Sequence, residues 1–481
     1  MSACSDEDLA TGPGSQPSFS TDTLRLGTLL AETSSQTHQL MIYNQCAKEL
    51  RLSSISLREA GTSGFRMNVD GMNGTDFTQS DLLRIASGDS MYVFIEATFP
   101  ALDAGFTDHK DYIDVICNGV TQSVVLEATS QDVLKMRGEV IESDRTFGRT
   151  LSVQVFDSLV IAEGVTLTLE DSVTLFMHDK ADIIVRGSLV CRGEAGRPVV
   201  IRGDRTDNMF DNLPYDNLPA QWGTFYISSS SHNNLWEYTQ VRGMTGGIVI
   251  DSAAVDTFAT PRLVVRSSHL KHSAGSLITA HSATMTIENS ELSQAAGSLL
   301  ELYGGAYDFT HCTFANYNFA SAIKQVAVYF SNFDTLSYTM HPLVRCHFNN
   351  SLIWSRTESG AKFSDIIPQY YHVLIPVPGG AEGEYQYADS VFNYRFDHCL
   401  LHASGTDDKD FINTVWNQDP LFTLIDHPNY NYDFRPAEGS PAIKAGVNTY
   451  VDRCPTDLSG MPRDIERPTI GCYEPLAPVQ P

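Results

Sequence analysis

A short motif recurs through the second half of this chain and limits what the chain can fold into. One polar or aromatic residue is followed by a small residue, then any residue, then an apolar one. The motif reads Tyr238-Thr239-Gln240-Val241, Ser267-Ser268-His269-Leu270, Asn289-Ser290-Glu291-Leu292 and His311-Cys312-Thr313-Phe314. It continues as Phe330-Ser331-Asn332-Phe333, Asn350-Ser351-Leu352-Ile353 and His398-Cys399-Leu400-Leu401. The small residues stand 29, 22, 22, 19, 20 and 48 positions apart. A period near 20 to 22 residues signals a solenoid, in which each repeat buries its apolar face against its neighbours. Stacked small and apolar positions of this kind fit a right-handed parallel β-helix, with like side chains aligned in ladders inside the coil. The last, longest gap predicts an inserted rung or long loop around 355–391.

The upstream stretch from Asp157 to Asp204 fits the same coil. Val160, Val165, Leu167, Leu169, Val173, Leu175, Ile183, Val185 and Leu189 supply inward apolar positions, and Gly164, Gly187 and Gly193 supply turns. This region resembles a group of Bacteroidetes parallel β-helix proteins. The residues that carry the resemblance are Val185 to Leu189 (VRGSL), Arg202 to Arg205 (RGDR) and Tyr215 to Gly223 (YDNLPAQWG). The C-terminal runs DFRPAEGSPAIKAG, DLSGMPR and IGCYE resemble the closing segment of that group. The resemblance spans roughly residues 150 to 475 and implies the fold, but assigns no activity.

Residues from about 20 to 130 read differently, as short alternating segments separated by turn residues: a small β-sandwich. The opening Leu24-Arg25-Leu26-Gly27, Tyr43-Asn44 after the second segment, and the run from Tyr112 through Asp114 and Ile116 to Asn118-Gly119 resemble immunoglobulin-like ASH-type domains of bacterial surface proteins. The chain is therefore expected to be all-β. A tether over 1–19 leads to an immunoglobulin-like β-sandwich over 20–130. A right-handed parallel β-helix follows over 131–481, with the inserted loop and a C-terminal cap.

Charge and composition narrow the partners. The chain has 32 basic residues against 58 acidic ones, a net charge of −26. This argues against nucleic acid, which needs clustered Lys and Arg to displace counterions from phosphates. No run of eighteen apolar residues exists, so no transmembrane helix is expected. Ser2-Ala3-Cys4 resembles the end of a bacterial lipobox, and Ser5-Asp6-Glu7-Asp8 resembles the export signal of surface-exposed Bacteroidetes lipoproteins. That resemblance implies an N-terminal lipid on Cys4, a location on the outer face of the outer membrane, and membrane contact only through the lipid. The nine cysteines show no C-x-x-C and no zinc spacing. Cys454 and Cys472, close together near the C-terminus, are the candidate disulfide; the alternative is that the cysteines are buried free thiols.

Arg202 to Gly223 holds the densest set of carboxylates. One reading is a loop built from Asp-Asn and Leu-Pro turns. The other is chemistry: Asp204, Asp207, Asp211 and Asp216 as acids, bases or calcium ligands, and Arg205 as a base, in a polysaccharide lyase or glycoside hydrolase. The spacing does not match a calcium loop. The carboxylates also follow one another along the chain, whereas enzymes of this architecture gather groups from neighbouring rungs. No rung-spaced line of Asp, Lys and Arg is visible, so no catalytic set and no metal site is assigned. His269, His272, His281, His311, His341, His347 and His398 read as hydrogen-bonded turn residues. In the insertion, Tyr370, Tyr371, Tyr385 and Tyr387 form a candidate partner surface. The expectation is a non-enzymatic structural or interaction subunit of an outer-membrane assembly, with an outer-membrane protein as partner and no cofactor beyond the lipid. The alternatives are a calcium-assisted lyase or a glycoside hydrolase acting on acidic glycans, and a glycan-binding surface protein.

Overall fold

Alternating apolar residues in the first part of the chain give strands with one face buried. The computed structural model describes residues 9–78, 82–103, 105–149, 151–210, 213–253, 258–318, 326–356, 364–378, 383–388 and 390–476. Cys4 and Asp211 therefore lie outside the described residues. The structure is nearly all-β, with 53% of residues in strands and 2% in helix. It divides into two compact units, Met1–Val133 and Leu134–Pro481.

In the first unit, one sheet runs in the order Ser18–Phe19, His38–Tyr43, Ser90–Ala97, Phe65–Val69, Met72–Gly74. The other runs Thr23–Leu30, Val120–Gln131, Phe106–Cys117, Leu50–Leu57, Asp76–Thr78. Both sheets feed one core that includes Leu40, Ile42, Val93 and Ile95 from the first and Leu52, Ile55, Val115 and Leu126 from the second. The two motifs quoted above have local physical jobs. Asn44 is buried; its amide donates to the carbonyls of Lys48, Ile85 and Ala86, and its oxygen accepts from the Cys46 amide. Asn118 and Gly119 take φ of 50° and 77°, the left-handed pair that a two-residue hairpin requires.

In the second unit the strands fall into a seventeen-stranded sheet and a ten-stranded sheet, and every pairing within each is parallel. Along the middle of the chain, each repeat lays one strand in the smaller sheet and two in the larger: Leu263–Arg266, His269–Ser273, Ile278–His281, then Thr284–Glu288, Glu291–Ala295, Leu300–Tyr303. Val241, Leu270, Leu292, Phe314, Ile353 and Leu401 stack in register, as the motif requires. Seven of the nine inward positions named upstream are buried. Val165 and Val160 are half-buried; in the strand Ser152–Ile161 the two-residue alternation turns Leu159 and Ile161 inward and Val160 outward.

The first residue of the motif proves to be a left-handed corner. Tyr238, Ser267, Asn289, His311, Asn350 and His398 all have φ between 44° and 52°. The small residue that follows carries a ladder of hydrogen bonds from rung to rung. The Thr239 amide donates to Ser268 Oγ across 29 residues, the Ser268 amide to Ser290 Oγ across 22, and the Cys312 amide to Ser351 Oγ across 39. The thiols of Cys312 and Cys399 take the same place opposite the backbone of Ser290 and Ser351. Phe330-Ser331-Asn332-Phe333 is not a rung of this series, contrary to the sequence pattern. Phe330 pairs with Leu302 in a different column of the larger sheet, and the ladder passes directly from Cys312 to Ser351.

Four phenylalanines of the smaller sheet stack as neighbours. Phe309, Phe348, Phe396 and Phe411 pair in register, with ring centroids 4.6, 4.7 and 5.0 Å apart. The C-terminal segment does not end the stack as a simple cap; it also runs back along its flank. The Gly471 amide donates to the Asn350 carbonyl (2.8 Å), Arg463 to Asn289 Oδ1 (2.7 Å), and the Tyr473 hydroxyl to Glu291 Oε2 (2.7 Å). The corner residues would otherwise keep buried polar groups without partners.

Phe348→Ala, which empties the middle of the aromatic stack, is expected to cost about 3–5 kcal/mol. Phe348→Leu should cost less than half of that. All four tryptophans belong to the second unit, so urea unfolding followed by tryptophan fluorescence reads it selectively.

Candidate functional site

The aspartate-rich stretch leaves the larger sheet after the strand Val199–Gly203 and returns at Trp222–Ile227. It forms a small antiparallel hairpin, Asn208–Phe210 with Leu213–Pro214, followed by a 3-10 turn at Tyr215–Asn217. Trp222 does not fold back over the outside. It is fully buried in the core and donates from Nε1 to the Arg242 carbonyl (2.7 Å).

Each described carboxylate of this stretch is already engaged. Asp204 Oδ2 accepts from His178 Nδ1 (2.7 Å) and Gln154 Nε2 (2.9 Å). Asp207 is held by Arg205 in a two-point pair, with Nε at 2.7 Å from Oδ1. Arg205 also lies over the Tyr215 ring, 4.0 Å from its centroid. The Asp207 hydrogen bond raises the Arg205 guanidinium above its ordinary value, which works against its acting as a base. Asp216 bridges Arg202 (3.1 Å) and Arg242 (2.6 Å). Burial pushes the Asp216 carboxyl up, but Arg242, Arg202 and Lys271 outweigh this and hold it below its ordinary value. These contacts pin the loop to the sheet.

The pairs around Asp216 reveal a line that spacing alone did not show. Phe176 pairs with Arg202, Arg242 with Lys271, and Lys271 with Ser293, along the outer face of the larger sheet. Two positions before them run Gln240, His269 and Glu291. The loops covering this face consume most of the charge: Asp216 takes the two arginines, while Glu291 accepts from Tyr473 and Ser293. Burial lowers both Lys271 and His269 from their ordinary values. Among the described residues Lys271 has neither a hydrogen bond nor an ion pair. Long loops made the intervals between Arg202, Arg242 and Lys271 unequal, which hid the line from a search for a fixed period.

Cys454 and Cys472 are free thiols, so the candidate disulfide is not formed. Their surroundings explain why they are settled as such. Cys472 is buried among Ala315, Phe434, Leu458 and Tyr473, and its amide donates to Thr313 Oγ1 (3.0 Å). Burial pushes the Cys454 thiol up to about 11 and that of Cys472 well above its ordinary value. Among the described residues no group of three or more His, Cys, Asp and Glu is arranged to hold a metal ion.

The four tyrosines of the insertion separate into two pairs. The segment begins with a strand, Ile366–Gln369, that pairs in parallel with Val328–Ser331. Tyr370 and Tyr371 follow it and are half-buried. Tyr370 packs against Phe392, and Asn332 clamps the Tyr371 backbone through its amide and its oxygen (3.1 and 2.7 Å). An antiparallel hairpin, Leu374–Pro376 with Tyr385–Tyr387, then leaves the sheet. It presents Tyr385 and Tyr387 at 61% and 63% exposure, with Leu374 at 56%.

No family model matches the chain, and no curated protein matches it. Among solved structures it is similar to a protein of unknown function from Porphyromonas gingivalis W83, at 18% identity over 24% of this chain and 47% of that one, with a TM-score of 0.17. It is also similar to a family 123 glycoside hydrolase from Clostridium perfringens, at 8% identity over 23% of each chain and a TM-score of 0.17. A third is the ASH/PapD-like domain of human CEP192, at 14% identity over 26% of this chain and 90% of that one, again at a TM-score of 0.17. The chain thus spans less than half the length of the first two. At this level of similarity none of the three bears on function.

Two outcomes test this description. The depressed Asp216 carboxyl contributes its full stabilisation above the ordinary carboxylate range, about pH 4, and loses it as pH falls through its lower folded value. Asp216→Asn should therefore cost about 1.5–3 kcal/mol at neutral pH and flatten the acid limb of stability in urea melts run between about pH 3 and pH 7. Thiol labelling of the native protein should reach Cys46 alone among the eight described cysteines, since the other seven are buried. All eight should react after denaturation without reductant; a Cys454–Cys472 disulfide would leave six.

Proposed function

We propose that this chain is a surface-exposed outer-membrane lipoprotein, lipidated at Cys4, that acts by binding rather than by turnover, as a structural or interaction subunit of an outer-membrane protein assembly. Its second unit is a right-handed parallel β-helix serving as the platform, and its first is an immunoglobulin-like module. The observation that carries this reading is the hairpin Leu374–Pro376 with Tyr385–Tyr387. It is a two-stranded excursion that displays two tyrosines and a leucine to solvent while Tyr370 and Tyr371 anchor its base. Exposed tyrosines on a rigid base suit a protein contact, because they offer large area at low entropic cost. The hydrogen bonding and ion pairing of Asp204, Asp207 and Asp216, and the raised Arg205 guanidinium, favour binding over the alternative of a lyase or hydrolase built on that loop.

The full chain, purified gently from detergent-solubilised outer membranes, should bring down a membrane protein in stoichiometric amount. The double variant Tyr385→Ser, Tyr387→Ser should retain less than a tenth of it while keeping the native melting curve. A chain that purifies alone, or a double variant that captures the partner as well as the parent does, overturns the proposal.

A further inference from the structure

A cavity of about 500 Å³ opens on the second unit, and its lining shares no residue with the tyrosine hairpin or the aspartate loop. Two rungs and one excursion build it. His281 ends the strand Ile278–His281 and pairs with Tyr303 on the next rung. Asp251 follows Ile250, which pairs with Ala280, so Asp251 stands beside His281 on the preceding rung. Asp334 and His341 come from a small antiparallel hairpin, Phe333–Asp334 with Thr339–Met340, thrown out between Val328–Ser331 and Leu343–Asn349. Gly304, at φ 67°, lets this excursion return, since a Cβ there would sit 2.3 Å from that of His341. Ser252, Ser337, Thr339 and Leu336 complete the lining.

The polar groups are held in defined states. The Asp334 carboxylate accepts from the Leu336 amide (2.9 Å), the Ser337 hydroxyl (2.8 Å) and His281 Nδ1 (3.0 Å). Burial works against the Asp334 charge, but those donors and the nearby His281 hold its carboxyl below its ordinary value. With Nδ1 turned to Asp334, the other ring nitrogen of His281, Nε2, has no partner among the described residues. The His281 ring is steadied by stacking on Tyr303, at 5.3 Å and 16°. Burial lowers His341 from its ordinary value, which favours its neutral form. Asp251 accepts from the Tyr226 hydroxyl (2.8 Å) and the Ser252 amide (2.9 Å).

We infer that this cavity is a binding site for a neutral saccharide. Two carboxylates and two imidazoles with three hydroxyls line it, and among the described residues no Lys or Arg does. Such a surface repels polyanions, acidic glycans included, and matches a ligand rich in hydroxyl donors and acceptors. A metal ion is a poor occupant, because no three ligating groups converge among the described residues. A peptide would need apolar subsites, yet among the described residues Leu336 is the single large apolar residue of the lining. Leu336 and Tyr338 stand at the tip of the hairpin wall, each 83% exposed, where the C–H face of a sugar ring could rest. The volume falls within the roughly 300–1,000 Å³ of small-ligand sites. This site is separate from the tyrosine hairpin, and either can fail without the other.

The test is calorimetric titration of the full chain with neutral glucan, mannan, galactan and xylan oligomers, with oligogalacturonate and spermidine as charged controls. At least one neutral class should bind, and oligogalacturonate should not. Asp334→Asn, His281→Gln and Asp251→Asn should each weaken binding at least tenfold with the melting curve preserved. Leu336→Arg, at a position too exposed to disturb folding, should weaken it several-fold and serves as the check should a lining variant unfold. Absence of binding by every neutral class, preference for spermidine or oligogalacturonate, or binding indifferent to Leu336→Arg and to the folded lining variants overturns the inference.

Discussion

Everything in the second unit depends on one constraint: parallel strands from successive repeats must stay in register, column above column. Parallel ladders tolerate little slippage, because a shift by one residue would turn every apolar side chain outward. The register is fixed where the chain turns. At each corner a residue is forced into the left-handed region, and the small side chain after it accepts or faces a backbone group of the neighbouring rung. Only Ser, Thr or Cys supplies a polar atom there without crowding the stack, and this accounts for several of the scattered cysteines. Cys312 and Cys399 are ladder residues first and thiols second.

With the columns fixed, length changes are confined to the corners. The stretch between Cys312 and Ser351 and that between Ser351 and Cys399 each carry extra chain, yet the pairs on either side remain in register. The excursions have different fates. The aspartate loop is tied down to the sheet below through Arg202, Arg242 and His178. The hairpin around Tyr385 stands away from the sheet. The hairpin around Asp334 leans over it and, with groups from two rungs, encloses a cavity. An acidic chain can keep so many carboxylates beside its core because the few arginines are placed where the carboxylates meet.

Much of this was legible in the sequence. The period announced the stacking, the apolar columns were named nearly residue for residue, and Asn118-Gly119 marked its hairpin. What escaped notice did so for physical reasons. Four-residue motifs are short enough to arise twice within one turn, so Phe330-Ser331-Asn332-Phe333 imitated a corner while lying along another column. Val160 was misplaced because a buried strand of mostly apolar residues hides its own alternation. The cavity was invisible because Asp251, His281, Asp334 and His341 come from different rungs and an excursion, at intervals that follow no period. A search by column, asking which polar residues share a register position, would have paired His281 with Tyr303 and Arg242 with Lys271. The aspartate cluster drew attention through density in sequence, which in this architecture says little about proximity across rungs.

The hydroxyl ladder also gives the stack a direction. Ser268 donates to the Arg266 carbonyl of its own rung and accepts from Thr239 of the one before; Ser290 does the same with Glu288 and Ser268, and Ser351 with Asn349 and Cys312. Every hydroxyl therefore serves the rung behind it. Losing one leaves an amide unpaired upstream, at about 1–3 kcal/mol, and nothing unpaired downstream. A protein of this kind that lengthens by duplicating a rung must bring the new hydroxyl with the copy that follows, so growth toward the C-terminus is tolerated where growth in the opposite sense exposes an unmet donor.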